Sequence, residues 1–206
     1  IAMKLDNSGG LCLTGHFDGA ADFDPGSGTA LLNSAIDDDD IFLGKYDLDF
    51  NLLWIKQIEG PSFQKVFDID VDAADNIYTT GHYNGTADFD PGAAEHKLIA
   101  ANDPDVFVLK LKPNGEFVWV APATGSFFGS GYSLKVDKTN NIYVGGTFEG
   151  TKDFDPGPDE VKRTSAGQSE SVIEKLRQCP KAAITQTLNI ISCTSYKLDN
   201  KTFDTP

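Results

Sequence analysis

VDAADNIYTTGHYNGTADFDPG, residues 71–92, holds one complete strand between two turns. Ile77, Thr79, Gly81 and Tyr83 fall on one face and Tyr78, Thr80 and His82 on the other, the period-two signature of a β-strand. Upstream, VFDIDVD (residues 66–72) places Phe67, Ile69 and Val71 on one face, and AADN turns the chain between the two strands. Downstream of DFDPG, HKLIAA reads as a short extra strand and DVFVLKLK as a third principal one; KPNG then turns into a fourth, EFVWVA.

The pattern repeats. Gly15, Gly81 and Gly146 align at offsets of 66 and 65 residues, and so do Asp6, Asp72 and Asp137. Asp40, Asp105 and Glu170 keep register, as do Lys45, Lys110 and Lys175; Trp54 and Trp119 are 65 apart. A four-stranded antiparallel unit joined by tight turns and repeated along the chain is the sequence form of a β-propeller blade, which buries both faces only by stacking on neighbours. The period exceeds the roughly 40 to 50 residues of common propeller repeats, and the insertion carrying DFDPG accounts for the excess. A parallel β-helix is the structural alternative, but its coils are shorter and need no hairpin turns at these places. The expected fold is therefore all-β: about three blades of an incomplete propeller in units 1–65, 66–130 and 131–177, with 178–206 opening a separate module or linker. The third unit lacks a Trp strand, which predicts that a strand from upstream of Ile1 completes it.

Composition narrows the partners. Forty per cent hydrophobic residues in 206 suffice for a core, while a net charge of −14 excludes the basic stripe that nucleic-acid binding needs. No apolar run approaches the roughly 20 residues of a membrane-spanning helix. Three cysteines are too few for a disulfide scaffold. Cys12 stands where the other repeats have Tyr78 and Tyr143 and reads as a buried thiol; Cys179 and Cys193 bracket a polar segment and are free to pair in an oxidising compartment.

Residues 71–92 together with DVFVLKLKPNGEFVWV resemble the bacterial β-propeller repeats called SBBP repeats, over about residues 1–176. The resemblance implies a large exported or cell-surface protein of Gram-negative bacteria. Repeat one departs from the pattern at Gly10 and Cys12, repeat three at Ser171 and Glu174. The tail CPKAAITQTLNIISCTSYKLDNKTFDTP is similar to modules that follow such propellers in proteins exported by the type IX route, which implies secretion by that route.

DFDPG itself occurs three times, at residues 22–26, 88–92 and 153–157. In a strand the paired carboxylates Asp22 and Asp24, Asp88 and Asp90, and Asp153 and Asp155 each share a face, with Phe23, Phe89 and Phe154 pointing the other way. Such pairs supply part of the about six to eight oxygens of a Ca²⁺ site. The competing reading is architectural: Asp caps a backbone N–H, Pro and Gly preset the turn, and the aromatic plugs the blade edge. The DDDD run, residues 37–40, reads as a solvated charge run, and His16 and His82 as residues of an exposed strand face. No nucleophile–base order, zinc spacing or phosphate loop is present in the sequence. The expected function is non-catalytic adhesion, or protein or glycan binding, at a bacterial surface, extracellular and calcium-stabilised or not. A polysaccharide-active lyase or hydrolase and a pure spacer are the alternatives.

Overall fold

The computed structural model describes residues 1–35, 39–125, 129–178, 189–192, 195–198 and 201–204; these form strands and turns without a helix. The first repeat runs β1 (Ala2–Leu5), β2 (Leu11–Phe17), a small hairpin β3 (Ala20–Asp22) and β4 (Leu31–Asn33), then β5 (Asp40–Tyr46) and β6 (Leu52–Ile58). Its sheet order is β1-β2-β5-β6, antiparallel throughout. The second repeat gives β7 (Gln64–Val71), β8 (Ile77–Asp88), β9 (Lys97–Leu111) and β10 (Phe117–Gly125) in the same order. Here the inserted hairpin is simply the prolongation of the two central strands, so HKLIAA and DVFVLKLK belong to one strand. The third repeat supplies β11 (Gly129–Val136), β12 (Ile142–Phe148), the hairpin β13 (Thr151–Asp153) and β14 (Lys162–Thr164), and β15 (Glu170–Leu176). The tail adds β16 (Asn189–Ser192), β17 (Ser195–Leu198) and β18 (Lys201–Asp204); β16 pairs antiparallel with β15, so the outer position expected to receive a strand from upstream of Ile1 is taken by the tail instead. Cys179 and Cys193 lie outside the described residues.

The architecture is all-β, made of repeated four-stranded antiparallel sheets stacked face to face. Two apolar clusters hold the stack. Cys12, Ile41 and Leu43 of the first blade meet Ile69, Ile77, Phe107 and Leu109 of the second. On the other face Tyr78, Val108, Trp119 and Ala121 meet Leu134, Ile142, Val144 and Phe148 of the third. Each such fully buried aliphatic or aromatic side chain contributes roughly 1.5–3 kcal/mol, and none of it is gained by a blade standing alone. This explains why the middle blade is buried on both faces along the whole of 77–83.

Local chemistry repeats with the sheets. Asp6, Asp72 and Asp137 close the turn between the first and second strands: each Oδ1 accepts the N–H groups two and four residues on, at 2.8–3.0 Å. The residue at the left-handed position of that turn is Gly9, Asp75 or Asn140, with φ of 90°, 59° and 60°. Gly19, Gly85 and Gly150, with φ of 66°, 61° and 65°, redirect each second strand into its inserted hairpin, a conformation that a side chain resists.

One element departs from simple alternation. A β-bulge at Phe67 breaks the register between Val66 and Asp68, and the same bulge recurs at Tyr132 between Gly131 and Ser133. Phe67 is thereby removed from the face of Ile69, and its ring lies 5.1 Å from that of Tyr132. The bulge also explains two of the aligned glycines. A Cβ at Gly81 would strike the backbone of Lys65 and one at Gly146 that of Ser130, whereas at Gly15 it would meet the side chains of Phe42 and Ile1.

Candidate functional site

The three DFDPG segments form equivalent tips. Asp22 Oδ1 accepts from Asp24 N at 3.1 Å and Ala30 N at 2.8 Å; Asp88 Oδ1 accepts from Asp90 N and His96 N, and Asp153 Oδ1 from Asp155 N and Val161 N, at the same two distances. The second aspartate of each pair caps the glycine of the motif: Asp24 with Gly26, Asp90 with Gly92, Asp155 with Gly157, at 2.7–2.8 Å. One oxygen of every motif carboxylate is thus engaged in holding the turn, as the architectural reading requires. Backbone N–H groups hold Asp22 below the usual carboxylate range. Among the described residues no three His, Cys, Asp or Glu side chains converge as a metal-binding group.

The aromatics between the carboxylates do point inward. Phe89 and Phe154 are fully buried, Phe89 against Tyr83 and Phe107 at centroid distances of 5.3 and 4.9 Å, Phe154 against Phe148 at 5.3 Å. Phe23 is half-buried and packs on Phe42 at 4.5 Å. Trp54 and Trp119 occupy one register, opposite Lys45 and Lys110. Trp54 Nε1 donates to Pro113 O of the next blade at 3.1 Å, while Trp119 packs edge-on to Tyr78.

Each hairpin also reaches sideways. Asp88 bridges to Glu59 at the end of β6, and Thr124 and Gly125 of β10 pair with Asp153 and Lys152 of β13. The offsets are again 65 residues, so the hairpin of one blade latches the outer strand of the blade before it. Between the first two blades this leaves a cleft of about 520 Å³ lined by Asp40, Gln57, Glu59, Thr86, Asp88 and Glu95. At the next junction the fully buried Lys152 donates to Asp105 Oδ1 at 2.6 Å. Burial pushes the Asp105 carboxyl up, against the opposing pull of Lys152. The site residues missed in the sequence are these two. The available signal was a lysine standing where the other repeats have Ala21 and Ala87.

Two expectations about polar side chains also fail. Asp40, the last residue of DDDD, is buried rather than solvated, its carboxylate accepting from Gln57 Nε2 at 2.7 Å and Gly60 N at 3.3 Å; Asp37 and Asp38 lie outside the described residues. His82 is buried rather than exposed, because the third blade covers its face; its Nδ1 lies 2.6 Å from Ser130 Oγ and burial lowers it to about 4. Ser130 is fully buried as well, so this pair ties two blades together and presents no accessible nucleophile. His16 is half-buried and likewise lowered by burial. His96 stands on the hairpin against Phe117, with ring centroids 4.8 Å apart. Cys12 is free and buried, and burial raises its thiol to about 11.

No family model matches the chain. It is similar to an uncharacterised WD repeat-containing protein of Acanthamoeba polyphaga mimivirus, at 30% identity over 121 residues, which take in 54% of this chain and 9% of that protein. The chain therefore spans less than a tenth of the length of that relative.

Proposed function

We propose that this chain is a non-catalytic β-propeller repeat module of the SBBP type, part of an exported bacterial cell-surface protein, whose inserted hairpins form an acidic recognition rim for a protein or glycan. The observation that carries the reading is the three-fold equivalence of the DFDPG hairpins. All three leave their blades by the second-to-third strand connection and are shaped by the same caps, and equivalent connections of stacked blades are expected to share one side. A rim of repeated, rigid, negatively charged tips is suited to a partner with a basic or hydrogen-bond-rich surface, approached with salt-dependent steering. Similarity to a repeat-containing relative supports the scaffold and leaves the ligand to be found.

Replacing residues 24–29, 90–95 and 155–160 by short Asn-Gly turns removes the rim while the principal strands of each blade remain. Binding to bacterial surface extracts and to a glycan array should be lost, with the strand circular dichroism retained. Binding that survives would transfer the function away from the rim and favour the spacer reading. Calcium is tested separately: a rise in melting temperature with calcium but not with magnesium would assign a stabilising ion to the tips, and equal melts would remove it.

A further inference from the structure

The innermost strands β1, β7 and β11 carry a charge code that shows what fits the open face of the first blade. Met3 and Leu5 are 66% and 61% exposed, although they stand at the registers of Ile69 and Val71 in the second blade and of Leu134 and Val136 in the third. Ile69 and Leu134 are 3% and 1% exposed, because each is covered by the blade before it. The covering blade also supplies acceptors. Asp68 Oδ2 accepts the Leu134 N–H at 2.7 Å and Asp70 Oδ2 accepts the Val136 N–H at 3.0 Å. Asp70 further joins Lys135 at 3.0 Å on one side and Lys4 at 2.7 Å on the other, so residues 4, 70 and 135, equivalent in the repeat, alternate in sign from blade to blade. Where the covering blade has Ala2 instead of an aspartate, the Ile69 N–H turns to its own Asp68 at 2.9 Å. Among the described residues no side chain accepts the Met3 or Leu5 N–H.

We infer that the open face of the first blade docks a further blade of this same repeat whose innermost strand carries Asp-x-Asp at the registers of Asp68 and Asp70. Its first carboxylate takes the Met3 N–H, its second the Leu5 N–H and the Lys4 ammonium, while its apolar face covers Met3, Leu5 and Leu11. A second copy of this chain does not meet the requirement. Its third blade, the one that would stack here, offers Ser133 and Lys135 at those registers, and Lys135 would oppose Lys4.

The test adds a copy of residues 64–131 directly ahead of Ile1, which preserves the register because Ile1 is equivalent to Tyr132. Amide hydrogen exchange is followed residue by residue. The Met3 and Leu5 amides should exchange at least about tenfold more slowly than in the unextended chain, and the melting temperature should rise. The same extension carrying Asp68→Ser and Asp70→Lys in the added copy only should leave both amides fast. Protection at the added copy's own Leu109 amide reports whether that copy has folded. A folded copy that slows neither amide, an Asp-x-Asp copy that does not fold on this face, or equal protection by the Ser-x-Lys copy would overturn the proposal. So would sedimentation of the unextended chain as a dimer in which Met3 and Leu5 are already protected.

Discussion

Glu174 stands at the register where the second blade has the fully buried Leu109, and it is itself only 5% exposed. It shares a face with Val172 and Leu176, opposite Val144 across the ladder. Burial raises its carboxyl from 4.5 to about 8. In the unfolded chain the group releases its proton near 4.5, whereas the folded chain keeps it up to about 8, so the folded state binds more protons over this interval and stability must fall as pH rises through it. One pKa unit corresponds to about 1.4 kcal/mol, which sets an upper limit of about 5 kcal/mol lost by pH 8, with no further loss above. His82, lowered to about 4, works in the opposite sense between about 4 and its unfolded value of 6.5. The informative quantity is therefore the difference between wild type and Glu174→Gln, which shares every other titration. Urea unfolding at pH 5, 6, 7, 8 and 9 should show this difference growing in favour of the variant up to pH 8 and then levelling off. Glu174→Leu should exceed both, because it also replaces a polar group by the side chain found in the neighbouring blade. A wild-type-minus-Gln difference that is flat with pH would refute the reasoning.

Three further outcomes are expected. Lys152→Met should cost roughly 3–5 kcal/mol by leaving Asp105 charged and unpaired in the interior, and adding Asp105→Asn should recover much of the loss, read by urea denaturation. Gly81→Ala should destabilise by about 1–3 kcal/mol or more, because the new Cβ meets backbone, whereas Gly15→Ala meets side chains and should cost less; thermal melts of the two variants compare them directly. Phe89→Ala should cost about 3–5 kcal/mol and Phe23→Ala distinctly less, since the first ring is fully buried and the second is not; calorimetry that ranks them in reverse would show the plug to be unimportant.

Strands, turns and repeat were legible because they are written in short-range patterns: alternation over 77–83, an aspartate recurring at 6, 72 and 137, and a glycine recurring at 15, 81 and 146. The inward direction of Phe89 and Phe154 followed from the same alternation. What was not legible depends on the neighbouring blade. The alternation of Phe67 with Ile69 breaks because a bulge shifts the register, and no residue type at 67 announces it. His82 and Asp40 look like surface residues in a list of polar types, yet the third blade covers His82 and the Gln57 and Gly60 groups close over Asp40. The Lys152–Asp105 pair spans 47 residues of chain and joins two repeats, so a comparison of equivalent positions sees only a lysine out of place. The outer position beside β15 is taken by Asn189–Ser192, a segment with no counterpart in the repeats.

The sideways latch has a consequence for mechanics. Because the hairpin of one blade grips the outer strand of the blade before it, neither of the two can peel away without breaking that latch. Under tension the stack should give way in whole-blade steps, one latch and one apolar interface per rupture event. Refolding would run through the same whole-blade steps, each newly formed sheet regaining its clasp with its neighbour.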